Sequence, residues 1–199
     1  MVSSFVQSRR FGGVVPTLDA AVLEALDRST APLSLTAIHR LAAEGSLSGV
    51  RKTLQRLVET GLVDAEGTPP RYSLNRDHLA YPAVQGLTRI RQRLLERISE
   101  HVREWARQPR FVGVFGSVAR GDAVIGSDVD VLVVGEPTDD EITELVDAIR
   151  RWVGAEAQVV ALSLEELSDA VSAREPIIEE WRTQMVKVGG TDDLERLIR

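Results

Sequence analysis

The sequence predicts an α+β protein in which a small helical domain, a connecting helix and an α/β domain follow one another. Residues 1–81 contain three short amphipathic segments and then a hairpin pattern. Residues 82–108 carry one long apolar stripe at helical spacing, and residues 109–199 alternate apolar strands with capped helices. These ranges are the expected first domain, connector and second domain, with a small mixed sheet in the last.

Composition and charge limit the classes of protein to consider. The chain has 199 residues, no cysteine and a net charge of −6, so a disulfide framework or a thiolate metal site is excluded. No apolar run approaches the length of a membrane span, and a cytoplasmic protein is expected. The charge is uneven: residues 1–110 hold 16 Lys and Arg against 11 Asp and Glu, whereas residues 111–199 hold 8 against 19. This asymmetry indicates that the first half of the chain can lie close to a polyanion. The acidic second half would repel a polyanion unless cations lie between the two.

Three helices and a hairpin are predicted for the first domain. The first helix starts near Thr17, and residues 1–15 are expected to form an arm or a short strand. The second helix covers about residues 36–43, and the third is expected to be capped by Ser48 and ended by Gly61. Two short strands around the turn at residues 66–70 complete the pattern.

This order resembles a winged helix-turn-helix, and the resemblance covers residues 35–75. In such folds the third helix enters the major groove of double-stranded DNA with its N-terminal residues nearest the bases. The alternative, a winged helix that binds protein, stays open because residues 1–81 hold 9 basic and 8 acidic residues. The predicted DNA-binding residues on the third helix and the hairpin are Ser48, Arg51, Lys52, Gln55, Arg56 and Arg71.

The connecting helix can begin at Pro82, because proline is tolerated in a first helical turn. Its apolar stripe is long enough to pair with a second copy, and its other side carries Arg89, Arg93 and Arg97. A homodimer is expected, since a single winged helix makes few base contacts.

The second domain begins after Pro109 with an apolar strand. Two capping boxes, at Thr138 with Glu141 and at Ser163 with Glu166, each predict the start of a helix. A helix near residues 176–183, an extended piece at 185–188 and a last helix from Thr191 follow. The predicted strands are residues 111–115, 129–134 and 156–162.

The strongest chemical motif lies between the first two of these strands. Gly116 and Ser117 allow a tight turn that presents backbone amides to an anion. Asp128 and Asp130 are two residues apart on a strand and therefore share a face. Two adjacent carboxylates repel unless a divalent cation lies between them, and Mg²⁺ held by one or two carboxylates and substrate phosphates is a common arrangement.

This motif resembles the DNA polymerase β-like nucleotidyltransferase superfamily, in particular its minimal nucleotidyltransferase (MNT) branch. The match is G-S-x10-D-x-D, with an accompanying A-R-G, and the resemblance covers about residues 109–190. It implies that Gly116, Ser117 and Arg120 bind an NTP, and that Asp128 and Asp130 are catalytic residues that bind Mg²⁺ or Mn²⁺.

One position departs from the family pattern. Active members carry a third carboxylate on the next strand, and the corresponding residue here is Gln158. An amide cannot accept a proton, so catalysis depends on a substitute, and Glu156 is a candidate two residues earlier. Whether Gln158 abolishes catalysis or Glu156 substitutes for it is open at this stage.

The resemblance implies an enzyme that transfers a nucleoside monophosphate from an NTP to a hydroxyl of a protein or nucleic acid. MNT proteins often act as antitoxins that modify a HEPN-type RNase toxin, and a DNA-binding domain would suit autoregulation. An aminoglycoside acceptor is disfavoured by the fused winged helix. The alternatives are a winged-helix transcriptional regulator whose second domain only senses a nucleotide, and a protein-binding scaffold.

Overall fold

The computed structural model describes residues 18–121 and 127–199. The predicted N-terminal arm lies outside the described residues, as does Thr17, one of the two residues expected to cap the first helix; the other, Asp19, lies inside the helix Leu18–Asp27. The chain divides into two compact units, Met1–Ile90 and Arg91–Arg199, and each is considered by itself.

The N-terminal unit contains three helices, a three-stranded sheet and a further helix. Its antiparallel sheet has the order β1-β3-β2, and β2 with β3 is the predicted hairpin. The short strand β1, which pairs with β3, was not predicted. The elements are α1 Leu18–Asp27, β1 Leu33–Ser34, α2 Leu35–Ala42, α3 Leu47–Glu59, β2 Val63–Glu66, β3 Arg71–Leu74 and α4 Tyr81–Thr88.

The start of α3 differs from the prediction, whereas its end agrees. Ser46, not Ser48, is the N-cap: its backbone is extended and its Oγ accepts the Gly49 amide at 3.1 Å. Ser48 lies within the first turn, with its Oγ 2.9 Å from Ser46 Oγ. The prediction of Ser48 was wrong because both serines precede the apolar pattern, and the backbone turn at Gly45 (φ +68°) gives Ser46 the cap conformation. Gly61 ends the helix with φ +75°, as predicted.

The core of this unit is one apolar cluster of residues from all its helices and its hairpin. Helix α1 is buried on nearly every side, which places the carboxyl of Glu24 in the interior at 9% exposure. Burial raises the pKa of Glu24 from 4.5 to about 7, and the charges of Glu44 and Asp27 act in the same direction against that of Arg28.

The connector predicted as one helix over residues 82–108 is two helices, α4 and α5 (Ile90–Arg103), with Arg89 between them. The single hydrogen of the Thr88 hydroxyl is shared between the Asp27 carboxylate at 2.6 Å and the Gln85 carbonyl at 3.1 Å. The Arg89 amide approaches the same Gln85 carbonyl at 3.2 Å. A side chain that competes for a helical carbonyl disturbs the regular series of backbone hydrogen bonds in the helix. The apolar periodicity of the sequence does not show such a competition.

The C-terminal unit contains a four-stranded mixed sheet of order β6-β5-β4-β7, in agreement with the predicted small mixed sheet. Strands β5 and β6 are parallel, and the other two pairs are antiparallel. Beyond α5, its elements are β4 Phe111–Phe115, α6 Gly116–Arg120, β5 Val129–Val134, α7 Asp139–Val153, β6 Ala157–Leu162, α8 Leu164–Ser172, α9 Pro176–Gln184, β7 Val186–Gly189 and α10 Leu194–Leu197.

Strand β5 is buried on both faces, which explains its continuous apolar run. Val129, Val131 and Val133 join a cluster with α5 and α7, whereas Leu132 and Val134 join a second cluster with α8 and α9. Both predicted capping boxes are present, at the starts of α7 and α8. The last helix, expected from Thr191, begins at Leu194, because β7 and the turn after it extend further along the chain. Among the described residues no helix is long and apolar enough to cross a membrane.

Candidate functional site

Gly116 forms the junction between strand β4 and the short helix α6. Its φ is +67°, a conformation that L side chains rarely adopt. A Cβ at this position would collide with the carboxylate of Asp130, whose Cγ would lie only 3.2 Å away. The glycine therefore serves both the turn and the close approach of an acidic side chain.

Helix α6 begins at Gly116 and is only five residues long. The residue before it, Phe115, has an extended backbone, and its side chain makes no capping hydrogen bond. Amides in the first turn of a helix lack intrahelical acceptors, so those of Gly116 and Ser117 are suited to an anion. The predicted turn at these residues is thus the start of a helix.

Asp130 lies at the start of β5, between Phe115 on β4 and Gln158 on β6. Burial raises its pKa, and the negative charges of Asp128 and Glu180 raise it further, whereas Arg120 opposes them. Asp128 was expected on the strand but lies just before it. A cation beside these carboxylates would remove the repulsion between them.

The described residues contain no group of three His, Cys, Asp or Glu side chains arranged to hold a metal ion. Two carboxylates are nevertheless a sufficient protein contribution for Mg²⁺, which keeps several waters and binds substrate phosphates. The donor set of Asp128 and Asp130 therefore fits Mg²⁺ or Mn²⁺ that arrives with a nucleotide.

Gln158, which the family resemblance puts at the position of the third carboxylate, lies beside the two aspartates. It is the partner of Asp130 in the parallel pair β5–β6, and its Nε2 donates to Asp128 Oδ2 at 2.9 Å. An amide here holds the carboxylate in place but cannot act as a base. The substitute, Glu156, is bound through both carboxylate oxygens to Arg150 at the end of α7. This contact directs Glu156 away from the role proposed for it.

Arg120 ends α6 and faces helix α9. Its Nη1 lies 2.7 Å from Gln184 Oε1 and 3.5 Å from Glu180 Oε1. Helix α9 is fixed against the sheet by Trp181, which packs edge-on against Phe115 with ring centroids 5.9 Å apart. The α9 residues beside this tryptophan are thereby brought to the site.

Arg91, near the start of α5, binds the other end of α6. Its Nε donates to the Val118 carbonyl and its Nη2 to the Ala119 carbonyl, each at 2.7 Å. Burial lowers the pKa of this guanidinium. The two hydrogen bonds are made to carbonyls in the last turn of α6, where few intrahelical donors remain, and the Gly121 amide shares the Val118 carbonyl at 3.3 Å.

The predicted DNA-binding residues occupy different environments in the N-terminal unit. Ser48, Arg51, Lys52 and Gln55 are exposed along one side of α3. Arg56 is also exposed but pairs with Asp19 at 2.5 Å. Arg71 donates to the Pro32 carbonyl at 3.1 Å. Four residues thus remain presented to solvent on α3, while Arg56 and Arg71 make contacts within the unit.

Sequence reasoning missed Arg91, Glu180 and Gln184. Arg91 lies 25 residues before Gly116 in the sequence, and Glu180 and Gln184 follow Asp130 by more than 40. Their roles depend on how α5 and α9 pack, which no local pattern encodes. The available signal for Glu180 was its place in a proline-started helix next to the apolar Trp181.

The model of the nucleotidyltransferase domain family matches residues 92–187 of the chain. That range contains the strand-to-helix junction at Gly116, both aspartates and most of α9. A comparison with curated proteins gave no match.

Solved structures of toxin–antitoxin proteins are also similar to the chain. One is a toxin–antitoxin with AMP-PNP, at 19% identity over 52% of this chain and 80% of that chain, with a TM-score of 0.40. Another is a tri-AMPylated Shewanella oneidensis HEPN toxin in complex with an MNT antitoxin, at 17% identity over 54% and 79%, with a TM-score of 0.37. With TM-scores this low, neither likeness bears on the substrates or partners of this chain.

Proposed function

We propose that the protein is a metal-dependent nucleotidyltransferase that transfers a nucleoside monophosphate from an NTP to a hydroxyl of a protein or nucleic acid. The observation that carries the proposal is the packing of Asp130 against Gly116. It brings an acidic pair and the amides of a helix start to one point of the nucleotidyltransferase domain. Mg²⁺ or Mn²⁺, held by Asp128 and Asp130, would neutralise charge on the triphosphate.

Each residue of the site has a distinct part in this reaction. The amides of Gly116 and Ser117 bind phosphate oxygens, and Arg120 adds a positive charge once it leaves Gln184 and Glu180. Gln158 holds Asp128 in place. The acceptor oxygen attacks the α-phosphorus, pyrophosphate leaves, and the hydroxyl proton passes to a carboxylate. Because Gln158 cannot take that proton, Glu180, whose charge acts on Asp130, is the acidic group proposed to accept it.

Labelled transfer tests the proposal. Purified protein is incubated with an extract from the producing cells and with each of the four α-³²P-labelled NTPs in the presence of Mg²⁺. The proposal predicts one labelled acceptor that is lost in Asp128→Ala and retained in Asp147→Ala, a control at an exposed carboxylate of α7. Mass spectrometry of the acceptor separates a protein from a nucleic acid. No label with any NTP would contradict the transferase activity.

The N-terminal unit is proposed to be a winged helix that binds double-stranded DNA as a homodimer and regulates transcription. The order of three helices and a hairpin supports this part, as do the exposed Arg51 and Lys52 at the start of α3. Lys52→Ala should weaken DNA binding, and the slope of log affinity against log salt concentration should fall by about the amount expected for one lost phosphate contact. Arg40→Ala, on α2, should change neither quantity. Equal affinity of wild type and Lys52→Ala at every salt concentration would favour a protein-binding unit.

An autoregulating antitoxin of MNT type, with a HEPN-type toxin as protein partner, is the biological role that the motif resemblance favours. That partner rests on the family likeness of the G-S-x10-D-x-D motif. Co-purification of the tagged protein from its own cells, with nucleotide-modified residues mapped on whatever protein is retained, tests this role. Failure to retain any modified protein would count against it.

A second candidate is a transcriptional regulator whose nucleotidyltransferase domain binds a nucleotide without transferring it. Two contacts favour it: Gln158 donates to Asp128, and Glu156 is engaged by Arg150. In that case Mg-NTP would change the affinity for DNA, Asp128→Ala would abolish this change, and no labelled product would form. A labelled acceptor that depends on Asp128 would exclude this candidate.

A further inference from the structure

Helix α6 is too short to be stable by itself, yet the proposed phosphate site depends on its first turn. Isolated helices of five residues do not persist in water, because nucleation costs more than one turn of hydrogen bonds returns. The helix Gly116–Arg120 has five residues, and the Gly121 amide ends it with contacts to the carbonyls of Ser117 and Val118. Its orientation must therefore come from contacts with other elements.

Arg91 supplies the most specific of these contacts. Its guanidinium forms a two-pronged clamp on consecutive carbonyls, Val118 and Ala119, with both distances at 2.7 Å. The side chains of Val118 and Ala119 are themselves buried, so the clamp and the core hold the same two residues. The planar fork of arginine fits two adjacent acceptors, which a lysine ammonium cannot reproduce with the same geometry.

We propose that Arg91 is a positioning residue for the nucleotide: by clamping the C-terminal carbonyls of α6, it sets the direction of the Gly116 and Ser117 amides that bind the triphosphate. This inference rests on the proposed nucleotide site. Two nitrogens of Arg91 are committed to the carbonyls of α6, so the role proposed for it is to position the amides and not to bind phosphate. Its charge lies at the C-terminal end of the helix, where a cation is favourable.

The role predicts a selective loss of triphosphate recognition. ATP, GTP, CTP and UTP are titrated calorimetrically with Mg²⁺ into wild type, and the tightest binder and its nucleoside monophosphate are then titrated into Arg91→Lys. We expect about a 10-fold loss for the triphosphate. We expect a change of less than about twofold for the monophosphate, because it lacks the phosphates that the helix start would bind. Arg93→Ala, at an exposed position on the same helix α5, is the matched control and should bind like wild type.

Chemical rescue separates positioning from a general effect on folding. In Arg91→Ala, low millimolar guanidinium should restore triphosphate affinity, and the same concentration of ammonium should not. Thermal melts of every variant show whether the C-terminal unit is folded, and Arg91→Lys provides the test if Arg91→Ala is not.

The outcomes separate this inference from the proposed function. If wild type binds no Mg-NTP, the proposed function fails and the role of Arg91 fails with it. If wild type binds an NTP, and Arg91→Lys binds that NTP with the same affinity and the same preference over the monophosphate, only the role of Arg91 is overturned.

Discussion

Two acidic side chains with raised pKa values, one in each unit, have different surroundings. Glu24 is buried in the apolar core of the N-terminal unit, and burial is the largest cause of its shift. Asp130 is only partly buried, and its shift also reflects the charges of Asp128 and Glu180. It lies against a positive-φ glycine at the start of a helix. A raised pKa by itself does not identify a binding site, and the proposal of a site at Asp130 rests on the like charges gathered beside the turn at Gly116.

The largest effect expected on this comparison comes from Gly116→Ala. The new methyl group would displace the Asp130 carboxylate and strain the backbone, so nucleotide binding should be lost and the C-terminal unit destabilised. Gly154→Ala is the matched control, since Gly154 has nearly the same φ (+65°) but no atom within 4 Å of an added Cβ. In Gly154→Ala the free energy of unfolding should fall only by the cost of backbone strain, roughly 1–3 kcal/mol.

Urea unfolding and NTP titration of the two glycine variants measure both effects. Because both variants carry the backbone strain, the difference between their free energies of unfolding reports the clash with the Asp130 carboxylate. Equal stabilities together with normal NTP binding in Gly116→Ala would show that the carboxylate does not need this close approach.

Glu24→Gln tests the other carboxylate of the comparison. The pKa of Glu24 is raised from 4.5 to about 7 in the folded state, so folding takes up a proton between these values. The stability linked to this group is full below pH 4.5 and is lost as the pH rises through 7. The variant should therefore be the more stable protein at pH 8, by on the order of 2–3 kcal/mol, and should unfold with less dependence on pH.

The tryptophans at positions 105, 152 and 181 all belong to the C-terminal unit, so tryptophan fluorescence and circular dichroism together distinguish the two units. The change in stability caused by Glu24→Gln should appear in the unfolding transition followed by circular dichroism. The midpoint of the transition followed by tryptophan fluorescence should stay the same. Glu59→Gln, at the exposed end of α3, is the control. A pH dependence that is identical in wild type and Glu24→Gln would show that Glu24 is not the responsible group.

Glu180→Gln should have the smallest effect and sharpens the account of Asp130. Removing one negative charge beside the site should strengthen NTP binding about two- to fivefold, through weaker repulsion and an Arg120 that is easier to release. If Glu180 takes the acceptor proton, labelled transfer should fall while binding rises. Glu179→Gln on the same helix is the control. Weaker binding in Glu180→Gln would contradict the electrostatic account.

The sequence predicted best the features that local chemistry decides. Strands β4 and β5 have the predicted bounds because buried strands read as apolar runs, and both capping boxes were found from a Ser or Thr three residues before a Glu. The pair Asp128 and Asp130 followed from spacing, whereas the placement of Gln158 beside them followed from the family resemblance.

Features that depend on packing at a distance could not be predicted. The break between α4 and α5 follows Thr88, whose hydroxyl contacts both the Gln85 carbonyl and Asp27, which is 61 residues away in the sequence. The burial of Glu24 depends on helices covering α1 on nearly every side. Arg91 reaches the Val118 carbonyl of α6, 27 residues further along the chain, only after the unit has folded.

Calorimetric titration of ATP, GTP, CTP and UTP into wild type and Asp128→Ala/Asp130→Ala, with Mg²⁺ and with EDTA, tests the central claim most directly. The account predicts that wild type binds at least one NTP in the presence of Mg²⁺, and that EDTA and the double substitution each abolish this binding. Binding of equal strength in the double variant, or no binding by wild type, would contradict a metal and nucleotide site at these carboxylates.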